Sequence, residues 1–176
     1  MRALAVAAIL TTMSPGTLAH HADHGRPATY QDWARAVLEE LHAARIAEPS
    51  RPVLTPQDRD TWLIAWARLE DTTARFNPLA TTYRCAGSTP YNAAGVQDYA
   101  TLPAGVHAAA RTLLGAHAAE RGYTTIVDYL LRPDMTFADF RLAVSHSAWS
   151  GLPRDGDHYL IPGYDPAWAT RALPRQ

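Results

Sequence analysis

Residues 63–82 read Leu63-Ile64-Ala65-Trp66-Ala67-Arg68-Leu69-Glu70-Asp71-Thr72, then Thr73-Ala74-Arg75-Phe76-Asn77-Pro78-Leu79-Ala80-Thr81-Thr82. In the first half, Leu63, Trp66 and Glu70 are spaced by three and four, so they share one face of a helix. A carboxylate therefore stands where a core-facing apolar stripe should continue. Desolvation against Trp66 disfavours the ionised form, which is the condition a general acid needs near neutral pH. The opposing reading makes Glu70 the solvated last residue of a fraying helix, paired with Arg68 or Arg75. The second half, broken at Asn77-Pro78, predicts a loop.

Upstream, Thr55 with Pro56 and Asp58 is a start signal for this helix: a hydroxyl cap, a first-turn proline and a carboxylate near the positive end. Before it, Thr29 caps a helix from Tyr30 to about Ala44, with Trp33, Val37, Leu41 and Ala44 on one face. Downstream, Gly87, Pro90 and Gly95 punctuate the chain to Thr101, and Val96 and Tyr99 fit a short strand. So long a stretch without regular structure is unusual unless it is functional or holds a small sheet. Thr101 and Pro103 open a helix running to about Ala119, Thr124 or Thr125 opens another that Pro133 stops, Thr136 with Asp139 opens a third, and Asp165-Pro166 starts a short last one. Residues 151–163 read as a loop. The expected architecture is mostly α: five or six short helices, with at most a small irregular β element within residues 76–101.

The 176 residues suit one domain, placed at 27–173. Hydrophobic residues at 47% and charged residues at 19% exclude wholesale disorder. All 16 bases are arginine, so a nucleophilic, Schiff-base or P-loop lysine is excluded. A net charge of -1 gives no global pull toward nucleic acid. With Cys85 alone, an intrachain disulfide, a C-x-x-C pair and a multi-cysteine zinc site are excluded. Residues 1–26 read as a secretory signal, Arg2 then an apolar run then small residues near Ala19, followed by a stub with His20, His21, Asp23 and His24. Those side chains are metal-ligand types, but an unstructured tail has nothing to hold them. The apolar run is too short to span a bilayer, and no later segment is a stable membrane anchor.

After Glu70 the order Phe76-Asn77-Pro78-Leu79-Ala80-Thr81-Thr82, Gly87-Ser88-Thr89-Pro90-Tyr91-Asn92, Gly95-Val96-Gln97-Asp98-Tyr99, Gly105 and Thr112-Leu113 resembles the lysozyme-like superfamily. It is most similar to lysozyme-like proteins of phages and actinobacteria, and more loosely to lytic transglycosylases and goose-type lysozymes. The resemblance spans about Thr29 to Trp149, ending in Ser147-Ala148-Trp149. It implies a lysozyme-like (α+β) fold and a peptidoglycan glycosidase, muramidase or lytic transglycosylase, in which Glu70 is the catalytic general acid. It implies that Asn77, Thr81, Asn92, Gln97 and Tyr99 bind sugar groups and that Trp66 or Tyr91 offers an apolar platform. No metal or cofactor is required, the partner is the glycan strand, and a monomer, secreted or virion-associated, is expected. For each secondary residue a structural role stands beside the ligand role: Asn77-Pro78 as a turn, Gly95 as a positive φ, Tyr99 as a core plug.

One departure matters. Relatives follow the acid with two glycines, whereas this chain has Asp71-Thr72. Asp71, Asp98 and Asp128 are the candidates for a second carboxylate. The alternative function is a catalytically silent lysozyme-like module that binds glycan or builds a virion. Two rival chemistries are a Cys85 nucleophile with His107 or His146 as base, and a serine hydrolase at Ser145-His146-Ser147.

Overall fold

A computed structural model describes residues 26–46, 58–151 and 160–174. Six α-helices and one two-stranded antiparallel sheet occur among them. The expected signal segment, the histidine stub and Thr55 lie outside the described residues.

Helix α1 (Tyr30–Ile46) starts as Thr29 predicts. The Asp32 amide donates to Thr29 Oγ1 at 3.2 Å, and the Asp32 carboxylate accepts from the Thr29 amide at 2.8 Å, a reciprocal cap. Trp33, Val37 and Leu41 are fully buried, and the stripe ends there, because Ala44 is exposed. Helix α1 packs against both α2 (Arg59–Glu70) and α3 (Leu102–Leu114). Helix α3 is capped by the Thr101 hydroxyl as expected but stops at Leu114, before the expected Ala119, because Gly115 leaves the helical conformation. Helix α4 (Tyr123–Leu131) begins earlier than the expected Thr124 or Thr125, since Gly122 at φ 76 turns the chain into it. Helix α5 (Phe137–Ser145) has the Thr136/Asp139 capping box complete on both sides, and α6 (Pro166–Ala169) is capped by Asp165.

Arg59 ties α2 to the end of α4. Its guanidinium is buried, donates to the carbonyls of Arg132 at 2.9 Å and Met135 at 3.0 Å, and lies 3.6 Å over the Trp62 ring. A planar multi-donor cation meets two carbonyls of the segment between α4 and α5 and an aromatic face at once, which lysine cannot do.

The stretch after α2 is folded in on itself. Strand β1 (Thr89–Pro90) pairs with β2 (Gln97–Asp98), Thr89 opposite Asp98 and Pro90 opposite Gln97. Gly95 at φ 89 makes the return possible. Leu79 is fully buried and plugs the loop into the core. Among the described residues no helix is long and apolar enough to cross a membrane.

Candidate functional site

Glu70 is the last residue of α2. Leu63 and Trp66 on its face are fully buried, and Glu70 is half-buried where that face ends. Its Oε1 accepts a hydrogen bond from the indole Nε1 of Trp149 at 3.0 Å. Trp149 stands edge-on to Trp66, 4.7 Å between centroids, and 5.5 Å from the Tyr123 ring. The carboxyl is thus held against an aromatic wall by a donor from the far end of the chain. In the sequence Trp149 stands out only as the end of the Ser147-Ala148-Trp149 motif. Its pairing with Glu70 spans 79 residues and leaves no local signature.

The chain beyond Glu70 is strained. Asp71, Phe76 and Ala80 have φ of 39°, 51° and 52°, a region non-glycine residues rarely enter. Asp71 caps α2 in the left-handed conformation, its amide donating to the Ala67 carbonyl at 3.1 Å. The helix end has the backbone shape that a glycine would adopt freely, supplied by an aspartate, among the non-glycine residues best suited to it.

Most polar residues expected to face a sugar form a buried brace instead. Asn77 is 2% exposed. Its amide group donates to the carbonyls of Thr81 at 2.9 Å and Gln97 at 2.7 Å, while its Oδ1 accepts the Thr81 amide at 2.8 Å. Gln97 is buried, its backbone amide donating to the Thr81 carbonyl at 3.1 Å and its side chain to the Gly95 carbonyl at 2.7 Å. Tyr99 is fully buried; its hydroxyl donates to the Tyr83 carbonyl at 2.7 Å and lies 2.9 Å from Thr81 Oγ1. Burial pushes that hydroxyl up to about 12, against the lowering effect of Thr81, so it stays protonated and able to donate. The readings of Asn77, Thr81, Gln97 and Tyr99 as sugar contacts are thereby corrected: their polar atoms are turned to neighbouring chain. Trp66 is corrected too, since a fully buried ring offers no face to a ligand.

Tyr91 and Asn92 remain at the surface, as a contact requires. The Tyr91 hydroxyl is 2.7 Å from Thr73 Oγ1, which ties the hairpin to the segment leaving Glu70. Two further bonds reinforce the tie: the Arg75 amide donates to Asp98 Oδ1 at 2.6 Å, and the Tyr99 amide to the Arg75 carbonyl at 2.9 Å. Glu70 therefore stands where helix α2, the hairpin-bearing loop and the 3-10 turn Ala148–Ser150 converge.

Of the other carboxylates, Asp98 is engaged with the Arg75 amide and Asp128 with Arg45 between α4 and α1. Asp71 is exposed beside Glu70. Cys85 lies in a turn closed by Ser88, while His107 bonds Glu40 at 2.7 Å and meets the Tyr83 ring. His146 lines a separate hollow of about 190 Å³ between α4 and α5, with Tyr129 and Leu142. The hydroxyls of Ser145 and Ser147 are spent on the carbonyls of Leu142 and Val144.

Removing the centre of the brace has a predictable cost. Asn77→Ala removes three buried hydrogen bonds, to the Thr81 and Gln97 carbonyls and from the Thr81 amide, although the Thr81 carbonyl keeps its bond from the Gln97 amide; each lost bond is worth about 1 kcal/mol. We expect a loss of about 3 kcal/mol, seen as a lower urea midpoint with unchanged m-value. Asn77→Asp, which cannot donate to either carbonyl, should be no better. A midpoint within error of wild type for both variants would contradict the brace.

No protein-family model matches the chain, and no curated protein or solved structure is found similar to it.

Proposed function

We propose that this chain is a lysozyme-like peptidoglycan glycosidase in which Glu70 is the general acid. The observation that carries the reading is the placement of Glu70: half-buried at the end of a buried helix, beside Trp66 and Trp149, with one carboxyl oxygen held by an indole N–H. Such a wall excludes water from one side of the acid, while Glu70 as a residue stays partly exposed, as a donor to a glycosidic oxygen must. Glu70 donates its proton to that oxygen as the bond to the ring carbon breaks and the ring gains oxocarbenium character. Water then completes a hydrolysis, or the substrate's own 6-hydroxyl attacks and gives an anhydro product. In either course the same Glu70, now a carboxylate, takes back a proton, from the water or from the 6-hydroxyl.

The exposed pair Tyr91 and Asn92, fixed relative to the acid through Thr73, is the part of the hairpin offered to the glycan. Asn77, Thr81, Gln97 and Tyr99 serve the site indirectly by holding that hairpin. The left-handed Asp71 supports activity, because the departure from two glycines keeps the turn. The same residue favours the alternative, a glycan-binding or virion module, because it places an extra carboxylate beside the acid. The signal-like segment at residues 1–26 supports a secreted setting, and virion association is the alternative setting.

Incubating purified peptidoglycan with the wild-type chain and weighing the soluble fragments tests this. Fragments ending in a reducing sugar identify a muramidase, and fragments lighter by one water identify a lytic transglycosylase. Retention on the wall without release of fragments would move the assignment to the binding module.

A further inference from the structure

An indole N–H is a donor with no acceptor capacity. Trp149 therefore asks one thing of Glu70: that Oε1 present a lone pair, at 3.0 Å. An ionised carboxylate meets the demand with either oxygen. A neutral carboxyl meets it well only with its carbonyl oxygen, the stronger acceptor, which leaves the proton on the other.

The donor is firmly placed. Its ring is fixed between Trp66 and Tyr123. Its own amide donates to Ser147 Oγ at 3.1 Å, and the buried Ser147 hydroxyl donates to the Val144 carbonyl at 2.7 Å at the end of α5. The Ala148 amide donates to the Arg121 carbonyl at 2.9 Å, joining the same turn to the start of α4. The adjoining Gly122, at φ 76, packs closely on the same turn, since a Cβ there would lie a tight 3.3 Å from the Ser147 Cα.

We propose that Trp149 is a positioning residue for the acid: by donating to Oε1 of Glu70 it confines the transferable proton to Oε2 and fixes the plane in which it is delivered. This rests on the reading of Glu70 as a general acid. It adds to that reading the identity of the proton-bearing oxygen and the group that selects it. No covalent step is added. The proton leaves Oε2 for the glycosidic oxygen, and both carboxylate oxygens then accept, Oε1 from the same indole as before.

Among the described residues, the ionisable groups on the elements around the pair include Arg68 and Asp71 on and after α2, Tyr30 on α1, Arg121 and Tyr123 at the start of α4, Asp139, Arg141 and His146 on and after α5, and Asp165 and Arg171 at the C-terminal segment. Arg68 is 3.7 Å from the Asp165 carboxylate. Burial holds the hydroxyls of Tyr30 and Tyr123 above their ordinary values, against the lowering effect of Arg171 and Arg121 respectively, so neither titrates where a carboxyl does. Asp71 is the carboxyl that must be told apart from Glu70, and Glu70→Gln does so.

The experiment is an NMR titration of the full chain followed at the indole N–H of Trp149, assigned by its disappearance in Trp149→Phe. In wild type that resonance should move with pH in step with the Glu70 carboxyl carbon. In Glu70→Gln, whose amide oxygen still accepts the bond, it should stay at a hydrogen-bonded position and cease to titrate. Trp149→Phe keeps a ring in the wall but removes the donor to the charged form. The Glu70 titration should then move upward by about one pH unit. Cleavage by this variant should lose about ten- to a hundredfold in kcat with KM little changed. An indole resonance flat through the Glu70 titration would overturn the proposal, as would unchanged kcat in a folded Trp149→Phe. An indole that tracks Glu70 in a protein that cleaves no wall would support the coupling and overturn only the glycosidase reading.

Discussion

Gly105→Ala is expected to destabilise the protein by about 3 kcal/mol or more, or to prevent folding altogether. A Cβ built on Gly105 would lie 1.9 Å from the Phe76 carbonyl oxygen and 3.1 Å from the Phe76 Cβ. The obstructing atom is backbone, so no rotamer change relieves it. Helix α3 would have to withdraw from the loop, or Phe76 would have to move. Phe76 is already at φ 51 and leads directly into Asn77 and Leu79, the centre of the brace and the plug in the core. Both routes open the same structure, and the expected fall in melting temperature is roughly 10 °C. Gly163→Ala is the control: nothing lies within 4 Å of its Cβ, and it should stay within about 0.5 kcal/mol of wild type. Thermal melts of both variants check the contrast, and equal stabilities would show that α3 does not approach Phe76 so closely.

That contact illustrates what could and could not be read in the chain. Helix starts at Thr29, Thr101, Thr136 and Asp165 were legible because a cap is chemistry between residues two or three apart. The end of α3 at Leu114 and the start of α4 at Tyr123 were misjudged because Gly115 and Gly122 act through backbone conformation, which residue patterns reveal less directly. Gly105 belongs to a motif visible in the sequence, but its need for a bare backbone arises from Phe76, in the loop after α2. Glu70 was legible from the three-and-four spacing that sets it beside Trp66. The polar residues after it were not, because a loop rich in Asn, Thr, Gln and Tyr reads as a surface. Here it closes on itself, and the carbonyls of Thr81, Gln97 and Tyr83 take up side chains that would otherwise face a ligand. Buried backbone must be satisfied, and in an irregular loop side chains do that work.

Glu70→Gln carries the largest expected functional effect. The two side chains have nearly the same shape, and the glutamine oxygen can still accept from Trp149, so the aromatic wall and the hairpin should keep their places. What is lost is the proton. General acid catalysis contributes about a hundred- to ten-thousandfold, so kcat should fall by at least about a hundredfold while KM changes little, the pattern of a group that acts in the transition state. Stability should change little, since Glu70 is only half-buried.

The most direct measurement is the release of soluble fragments from purified peptidoglycan by wild type beside Glu70→Gln, at matched concentration and with circular dichroism showing both folded. Wild type should release fragments with reducing or anhydro ends, and Glu70→Gln should release none. Fragments released equally by the two proteins would contradict the assignment of Glu70 as the acid.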